Sequence, residues 1–222
     1  VLVLNGDFFD SREKISVSDQ IYNFNRIIDF KLAEDAKPDG IKVILNIGNH
    51  DFYYMKDVSD IISIWNYTPE ENIRIRESVE AGRPFMQMAY LVETDDEPLV
   101  ISHAGISSIW LENNKINSLG TPKEIVDAVN QLWLDNPRTF NFTMGPNADQ
   151  TGDDECQTPI WIRPDSLRKS APAGFNQCVG HTTQQSIFGA KTKHEDIIIL
   201  CDTLGVKEYI VIENNTLSPV KL

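Results

Sequence analysis

The sequence predicts an α/β fold, a sandwich of two sheets with a metal site at the carboxyl ends of its strands. Two observations predict it. Strand and helix patterns alternate at the start of the chain, and strand patterns dominate afterwards. Short polar motifs follow the apolar runs, at the points where strands would end. With 222 residues, the chain suits a single domain over residues 1–222.

The first half of the chain is predicted to open with a strand, a helix and a second strand. Residues 1–4 are an apolar run, and Ile21, Phe24 and Ile28 recur at helical spacing within a helix predicted over residues 18–36. The turn-forming segment Pro38-Asp39-Gly40 ends this helix. The other elements predicted up to residue 102 are strands at residues 41–45, 85–92 and 99–102 and a short helix at residues 57–65.

The second half contains one strong helix start and a long irregular stretch. Thr121 can cap a helix, Pro122 suits its first position and Glu124 completes a capping box, which predicts a helix to about residue 134. Residues 136–160 are rich in Pro, Asn, Gly and Asp, which is typical of an irregular insertion or lid. Together with a loop predicted over residues 66–84, this stretch is predicted to shape a pocket. The last predicted strands are residues 177–179, 197–201 and 209–212.

The composition excludes some classes of function. The formal net charge of -13 argues against a general nucleic-acid groove, because neutralising phosphates needs clustered Lys and Arg. No apolar run approaches the roughly 18 residues of a membrane span. Cys156, Cys178 and Cys201 are odd in number and lack CxxC spacing. They predict reduced thiols and a cytoplasmic protein.

Side chains that suit a divalent metal ion follow separate strands. Asp7 lies just past the first strand, and its two oxygens can bridge two cations. Asn49 offers a neutral carbonyl oxygen, whereas His103 and His181 offer imidazole nitrogens. These donors favour manganese, iron, zinc or nickel over calcium. The four residues are therefore predicted to converge on one metal site that activates water.

His50 lies beside Asn49 and is predicted to enter the same site as the catalytic general acid. A histidine near a metal, oriented by a carboxylate, can protonate a departing alkoxide. Asp10, in the same motif as Asp7, is the predicted orienting carboxylate.

On these residues the chain resembles the calcineurin-like metallophosphoesterases. The motifs that carry the resemblance are, in order, Gly6-Asp7-Phe8-Phe9-Asp10, Gly48-Asn49-His50-Asp51, Ser102-His103-Ala104-Gly105 and Val179-Gly180-His181-Thr182. The nearer likeness is to the phosphoprotein-phosphatase-like branch, which includes bacterial serine/threonine phosphatases and diadenosine tetraphosphate hydrolases. The resemblance implies a two-metal hydrolase in which metal-activated hydroxide attacks phosphorus in line. It further implies that Asp7 bridges the metal ions and that Asn49, His103 and His181 complete the coordination of the second metal ion. His50 would be the general acid, paired to Asp10.

The chain departs from the family pattern in two places. The family opens with an Asp-x-His motif on its first strand, and this motif is expected either upstream of Val1 or not at all. The first strand of the fold is accordingly expected to be missing. In Asp10-Ser11-Arg12, the arginine is displaced by one residue from its usual place. Arg12 and Arg163, the latter within Trp161-Ile162-Arg163-Pro164, are the candidate phosphate-binding residues.

The predicted function is metal-dependent hydrolysis of a phosphomonoester or a phosphoanhydride, on a phosphoprotein or nucleotide-type substrate. Its cofactors would be divalent metal ions, two in an intact site, and its partner a phosphorylated substrate. The alternative is a phosphatase-like binding scaffold that holds one metal or a phosphorylated partner without turnover. A nuclease of the same superfamily is disfavoured by the net charge of -13. The physiological substrate, the metal and the oligomeric state are left open.

Overall fold

The protein is described from a computed structural model that covers residues 1–11, 13, 15–56, 58, 67–93, 97–213 and 216–222. The chain divides into two compact units, Val1–Gln87 and Met88–Leu222. The mixed α/β class with more than one sheet is confirmed, whereas the single domain stays a prediction. Among the described residues, no helix is both long enough and apolar enough to cross a bilayer.

The first unit is a small parallel sheet with helices. Its elements are β1 (Leu2–Leu4), α1 (Val17–Asp35), β2 (Val43–Asn46), α2 (Asn49–Phe52), α3 (Pro69–Gly82) and β3 (Met86–Gln87). The strand order is β1-β2-β3 and both pairings are parallel, so the carboxyl ends of β1 and β2 lie at one edge. Strand β2 is fully buried, which agrees with its unbroken apolar run.

Helix α1 packs on the first motif through aromatic side chains. Ser16 caps the helix by accepting a hydrogen bond from the backbone N–H of Asp19 at 3.1 Å. The ring of buried Phe24 lies 5.3 Å from that of Phe8 and 5.0 Å from that of Phe9, between ring centroids. These contacts fix the loop that carries Asp7 and Asp10 to the apolar face of α1.

The second unit is built around a mixed sheet of five strands. Its elements are β4 (Ala89–Val92), β5 (Leu99–Ser102), α4 (Ser108–Asn113), α5 (Pro122–Asp135), α6 (Pro164–Ser170), β6 (Asn176–Val179), β7 (Phe188–Lys191), β8 (Ile197–Leu200), β9 (Glu208–Glu213) and β10 (Thr216–Lys221). The strand order is β4-β5-β6-β8-β7, and β9 pairs with β10 as a separate antiparallel ribbon. The central strands β5, β6 and β8 are parallel, whereas the edge strands β4 and β7 run antiparallel to their neighbours.

Helix α5 is anchored to the edge of this sheet by a polar side chain. The predicted capping box is present, because Thr121 and Glu124 exchange side-chain to backbone hydrogen bonds. The amide of Asn130 accepts from the N–H groups of Met88 and Ala89 and donates to the carbonyl of Ala89 at 2.9 Å. This side chain thus satisfies backbone groups at the outer side of β4.

Several predicted elements are confirmed, and others were wrong or missed. The strands at the start and at residues 99–102 and the helices α1 and α5 are confirmed. The strand predicted over residues 85–92 is confirmed for most of its length, but it consists of two strands, β3 and β4, which belong to different sheets, and its first residue ends a 3-10 helix. The predicted loop over residues 66–84 is instead largely helix α3, opened by a Thr68–Glu71 capping box with Pro69 at its start. The helix predicted over residues 57–65 falls almost wholly outside the described residues.

Candidate metal centre and proton donor

The loop after β1 holds two carboxylates in an unusual backbone conformation. Asp7 and Asp10 have φ angles of 58° and 61°, and Gly6 has a φ of 86°. A non-glycine residue with positive φ is uncommon, and such strained positions cluster at functional sites. Asp7 is exposed, whereas Asp10 is buried. The first carboxylate can therefore meet a ligand, and the second is held within the protein.

The loop after β2 passes close against Asp7. A Cβ atom placed on Gly48 would lie only 2.1 Å from Asp7 Oδ1, so this position accepts no side chain. The backbone N–H of His50 donates to the same Oδ1 atom at 3.1 Å. Buried Asn49 begins helix α2, between these two contacts. The predicted neighbours Asp7, Asn49 and His50 are thus brought together by the carboxyl ends of parallel strands β1 and β2.

Asp51 connects the loop after β1 to the loop after β2 through hydrogen bonds. Its buried carboxylate accepts hydrogen bonds from the N–H groups of Asp7 at 2.8 Å, Phe8 at 2.8 Å and Gly48 at 3.0 Å. Burial raises the pKa of Asp51, and the nearby charge of Asp7 raises it further. The three donors act in the opposite sense, because they bond best to the ionised carboxylate. The hydrogen bonds to Asp51 therefore fix the backbone position of Asp7.

Replacing Asp51 by asparagine is expected to lower the free energy of unfolding by about 2–3 kcal/mol, because an amide N–H₂ would face backbone donors. Denaturant unfolding monitored by circular dichroism would measure the change. Asp29→Asn, on the exposed face of α1, is the matched control for the lost charge. Equal stability of the two variants would contradict the clamping role of Asp51.

His50 is held by a buried carboxylate, and a buried tyrosine holds that carboxylate in turn. Its Nδ1 atom lies 3.0 Å from Asp10 Oδ2, and Tyr54 donates its hydroxyl hydrogen to Asp10 Oδ1 at 2.6 Å. The side chain of Asp10 is 0% exposed and that of His50 is 19% exposed. Asp10 can therefore fix the orientation of the imidazole ring.

The surroundings of His50 favour its protonated form. Burial lowers the pKa of His50, but the hydrogen bond to Asp10 and the charges of Asp7, Asp10 and Asp51 outweigh burial and raise it. Burial and the hydrogen bond to Asp10 likewise raise the pKa of Tyr54, so its hydroxyl stays protonated as a donor. The imidazolium is thus retained at a higher pH than in an ordinary histidine, as a proton donor requires.

Replacing Tyr54 by phenylalanine is expected to destabilise the protein by about 2 kcal/mol, because a buried carboxylate loses a charge-assisted hydrogen bond. The free energy of unfolding would measure this effect. Tyr22→Phe, at an exposed tyrosine of α1, removes the same hydroxyl away from the site. A loss no larger than in Tyr22→Phe would contradict the assigned hydrogen bond.

In the second unit, the two predicted histidines lie together. His103 directly follows β5 and His181 follows β6, and these strands are parallel neighbours. The imidazole centroids are 5.2 Å apart, and the carbonyl of His103 accepts from the N–H of Gly180 at 2.8 Å. His103 is buried, and His181 has a φ angle of 61°. Both nitrogen donors are therefore placed at one edge of the five-stranded sheet.

Buried contacts hold the loop after His103. The side-chain amide of Gln177 on β6 accepts from the N–H of Ile106 at 2.8 Å and donates to its carbonyl at 3.0 Å. Gly105 has a φ angle of 118°, and a Cβ atom there would lie 2.3 Å from a methyl group of Leu167. The loop can follow this path only with glycine at that position.

Trp161, the residue directly after the irregular insertion, contacts His181 through its aromatic ring. Trp161 lies edge-on to His181, with ring centroids 5.9 Å apart, and Phe142 lies edge-on to Trp161 at 5.1 Å. The carbonyl of Pro159 also accepts from the N–H of Ala104 at 2.8 Å, next to His103. Apart from a 3-10 turn at Pro137–Phe140, residues 136–160 are irregular, as predicted. The insertion thus packs on the loop of His103, and Phe142 links it to the Trp161 ring that contacts His181.

Among the described residues, the carboxylate and imidazole groups that could hold a metal ion are Asp7 in the first unit and His103 and His181 in the second, and the predicted ligand Asn49 adds an amide oxygen in the first unit. Of the candidate phosphate-binding residues, Arg12 lies outside the described residues. Arg163 is the N-cap residue of helix α6, and its backbone N–H donates to Asp153 at 2.9 Å. Hydrogen bonds from Thr151 and Asp153, together with the charge of Arg163, lower the pKa of Asp149 in the insertion. The phosphate-binding role of either arginine stays a prediction.

The sequence profile of the calcineurin-like phosphoesterases matches residues 1–182, a range that includes every candidate ligand described above. The chain belongs to the calcineurin-like phosphoesterase family. The resemblance seen in the motifs is thereby confirmed for the family, and the narrower phosphoprotein-phosphatase-like branch stays a prediction.

This phosphoesterase chain is also similar in fold to a solved structure described as a cold-active protein tyrosine phosphatase at 1.1 Å. The two share 19% sequence identity with a TM-score of 0.58, and the match covers 98% of this chain. The chain spans 64% of the length of that structure. A search of curated protein sequences gave no match.

Sequence reasoning missed three residues that contact the candidate site residues. Asp51 stands within the Gly48-Asn49-His50-Asp51 motif, so its place beside His50 was a usable signal. Trp161 lies in the segment Trp161-Ile162-Arg163-Pro164, where the sequence predicts only Arg163 as a candidate site residue. Tyr54 follows another tyrosine, Tyr53, and nothing in the local pattern distinguishes the one that contacts Asp10.

Proposed function

We propose that this protein hydrolyses a phosphomonoester or a phosphoanhydride with the help of divalent metal ions. Membership of the calcineurin-like phosphoesterases supports metal-dependent hydrolysis as the class of reaction. The observation that carries the proposal is the Asp10–His50 pair, with 3.0 Å between Oδ2 and Nδ1, directly beside Asp7. A histidine that is oriented in this way, next to a carboxylate proposed as a metal ligand, is suited to act as a general acid.

The proposed metal ligands are Asp7 and Asn49 from the first unit together with His103 and His181 from the second. Their carboxylate, amide and imidazole donors fit a divalent transition metal such as manganese, iron, zinc or nickel. The exposed carboxylate of Asp7, left clear by the missing side chain of Gly48, supports this fit. When bound, two such ions would supply positive charge that lowers the pKa of water and offsets the charge of the phosphoryl oxygens.

The proposed acid–base step uses residues of the first unit. His50 gives its Nε2 proton to the oxygen that leaves phosphorus, and Asp10 stabilises the imidazolium before the transfer. Tyr54 keeps Asp10 in place through its 2.6 Å hydrogen bond. Arg12 and Arg163 are the proposed contacts to the phosphoryl oxygens, since a guanidinium can bind phosphate in a bidentate manner.

The proposed substrate is a phosphorylated protein or a nucleotide-type compound. The motif order supports this choice through its likeness to the phosphoprotein-phosphatase-like branch. The solved structure of similar fold is described as a protein tyrosine phosphatase, so aryl phosphates belong in a substrate panel. A cytoplasmic location is part of the proposal, and the free cysteines Cys156, Cys178 and Cys201 support a reducing compartment.

The test is a hydrolysis assay on the full-length natural protein, with manganese added or removed by chelation. The panel would contain p-nitrophenyl phosphate, a phosphotyrosine peptide, a phosphoserine peptide and a bis-nucleoside polyphosphate. We expect turnover of at least one compound, abolished by chelation and restored by manganese. A protein that binds manganese but turns over none of them would overturn the enzyme proposal and favour the binding scaffold.

A further inference from the structure

Two thiols lie close together near the end of the strand that leads to His181. Cys178 lies on β6, and Cys201 follows the end of β8, the parallel neighbour of β6. Their Sγ atoms are 3.5 Å apart. The register pairs Cys178 with Ile199, so Cys201 points to the same face of the sheet two positions further on. The register of β6 and β8 therefore places the two thiols next to each other.

The two thiols differ in access to solvent. Cys178 is 6% exposed, whereas Cys201 is partly exposed at the strand end. The hydrogen bond with Cys201 and burial both raise the pKa of Cys178. An oxidant would therefore meet Cys201 first, with Cys178 in place as the second thiol. Cys156 is a separate thiol in the insertion, where burial and Asp154 raise its pKa to about 11.

We propose that Cys178 and Cys201 form a reversible disulfide when a peroxide oxidises the protein, and that this disulfide weakens metal binding by His181. The role at the metal site rests on the proposed function, whereas formation of the bond does not. The Cys201 thiolate attacks one peroxide oxygen and becomes a sulfenic acid as the O–O bond breaks. Sulfur of Cys178 then displaces the sulfenic oxygen as water, and the S–S bond forms. In sum, two thiols and one hydrogen peroxide give one disulfide and two waters.

The disulfide would act on His181 through the end of β6. The sulfur atoms must approach from 3.5 Å to about 2.05 Å, which draws the ends of β6 and β8 together. The carbonyl of Val179 accepts from both the thiol of Cys201 at 3.2 Å and its backbone N–H at 2.8 Å. Oxidation removes the thiol donor to the carbonyl of Val179, which lies two residues before His181. His181 itself has an uncommon φ angle of 61°, which its surroundings must hold in place.

The experiment uses the full-length protein with Cys156→Ala, so that an intramolecular disulfide within the described fold can join only Cys178 and Cys201. The native protein is exposed to hydrogen peroxide, alkylated under denaturing conditions and mapped by peptide mass spectrometry. Manganese affinity is then measured by titration before oxidation, after oxidation and after dithiothreitol. The same measurements on Cys156→Ala/Cys201→Ala provide the matched control, and thermal unfolding confirms that both variants fold.

We expect a Cys178–Cys201 peptide that has lost two hydrogen atoms, and about tenfold weaker manganese binding that dithiothreitol reverses. The control should show no change in affinity. Two free thiols after oxidation would overturn the proposal, and so would a disulfide that leaves the affinity unchanged. If the protein bonds these cysteines and loses manganese affinity but hydrolyses nothing, the proposed function fails and the redox site stands.

Discussion

Replacing His50 by asparagine is expected to lower kcat by about 10²–10⁴-fold for an alkyl phosphomonoester, the usual contribution of a positioned proton donor. Asparagine keeps a similar size beside Asp10 but cannot protonate the departing oxygen. The loss should be much smaller for p-nitrophenyl phosphate, because its phenolate leaves without protonation. Steady-state kinetics of the variant on both substrates, at saturating manganese, would measure the difference.

The matched control for this variant is His194→Asn, at an exposed histidine of the second unit. It should leave both rates unchanged. Manganese affinity should also be retained in His50→Asn, because the proposed metal ligands remain. An equal loss of kcat on the two substrates would contradict the role of His50 as general acid, and a loss of metal affinity would point to a structural role instead.

The positions of the candidate site residues in the fold could be predicted, because each residue follows an apolar strand in a short polar motif. Parallel pairing of β1 with β2, and of β5 with β6, then brings the motifs of each unit to a common edge. The Asp10–His50 contact was predicted from chemistry alone and is present at 3.0 Å. Tyr54 could not be predicted, because its role depends on the path of the chain after α2 and not on a local pattern.

The fold was less fully predicted where local and tertiary preferences differ. Helix α3 carries a capping box at Thr68 and Pro69 at its first position, but its polar composition concealed it. Strand β7 (Phe188–Lys191) was missed because it is mainly exposed and contains Gly189, which weakens an isolated strand. It forms only because β8 offers an edge for antiparallel pairing. Tertiary pairing therefore decided elements that sequence periodicity did not mark.

Replacing Asp7 by asparagine is expected to change stability and metal binding in opposite directions. Manganese affinity and activity should fall by at least about 100-fold, because the proposed bridging ligand loses its charge. The metal-free protein should instead gain about 1 kcal/mol in free energy of unfolding. The carboxylate of Asp7 raises the pKa of buried Asp51, so its removal relieves a repulsion between like charges. Asparagine also tolerates the φ angle of 58° at this position.

Asp29→Asn separates this local effect from a general reduction of the net charge of -13, since it removes the same charge from an exposed position. Calorimetric unfolding with and without manganese would measure both terms in the two variants. The metal should stabilise the natural protein and Asp29→Asn but not Asp7→Asn. If metal-free Asp7→Asn were less stable than Asp29→Asn, the carboxylate would serve as a structural group. In a site built for a cation, metal-free Asp7→Asn should be the more stable of the two variants. A bound cation would offset the repulsion between the carboxylates of Asp7 and Asp51, and this repulsion is uncompensated in the metal-free protein.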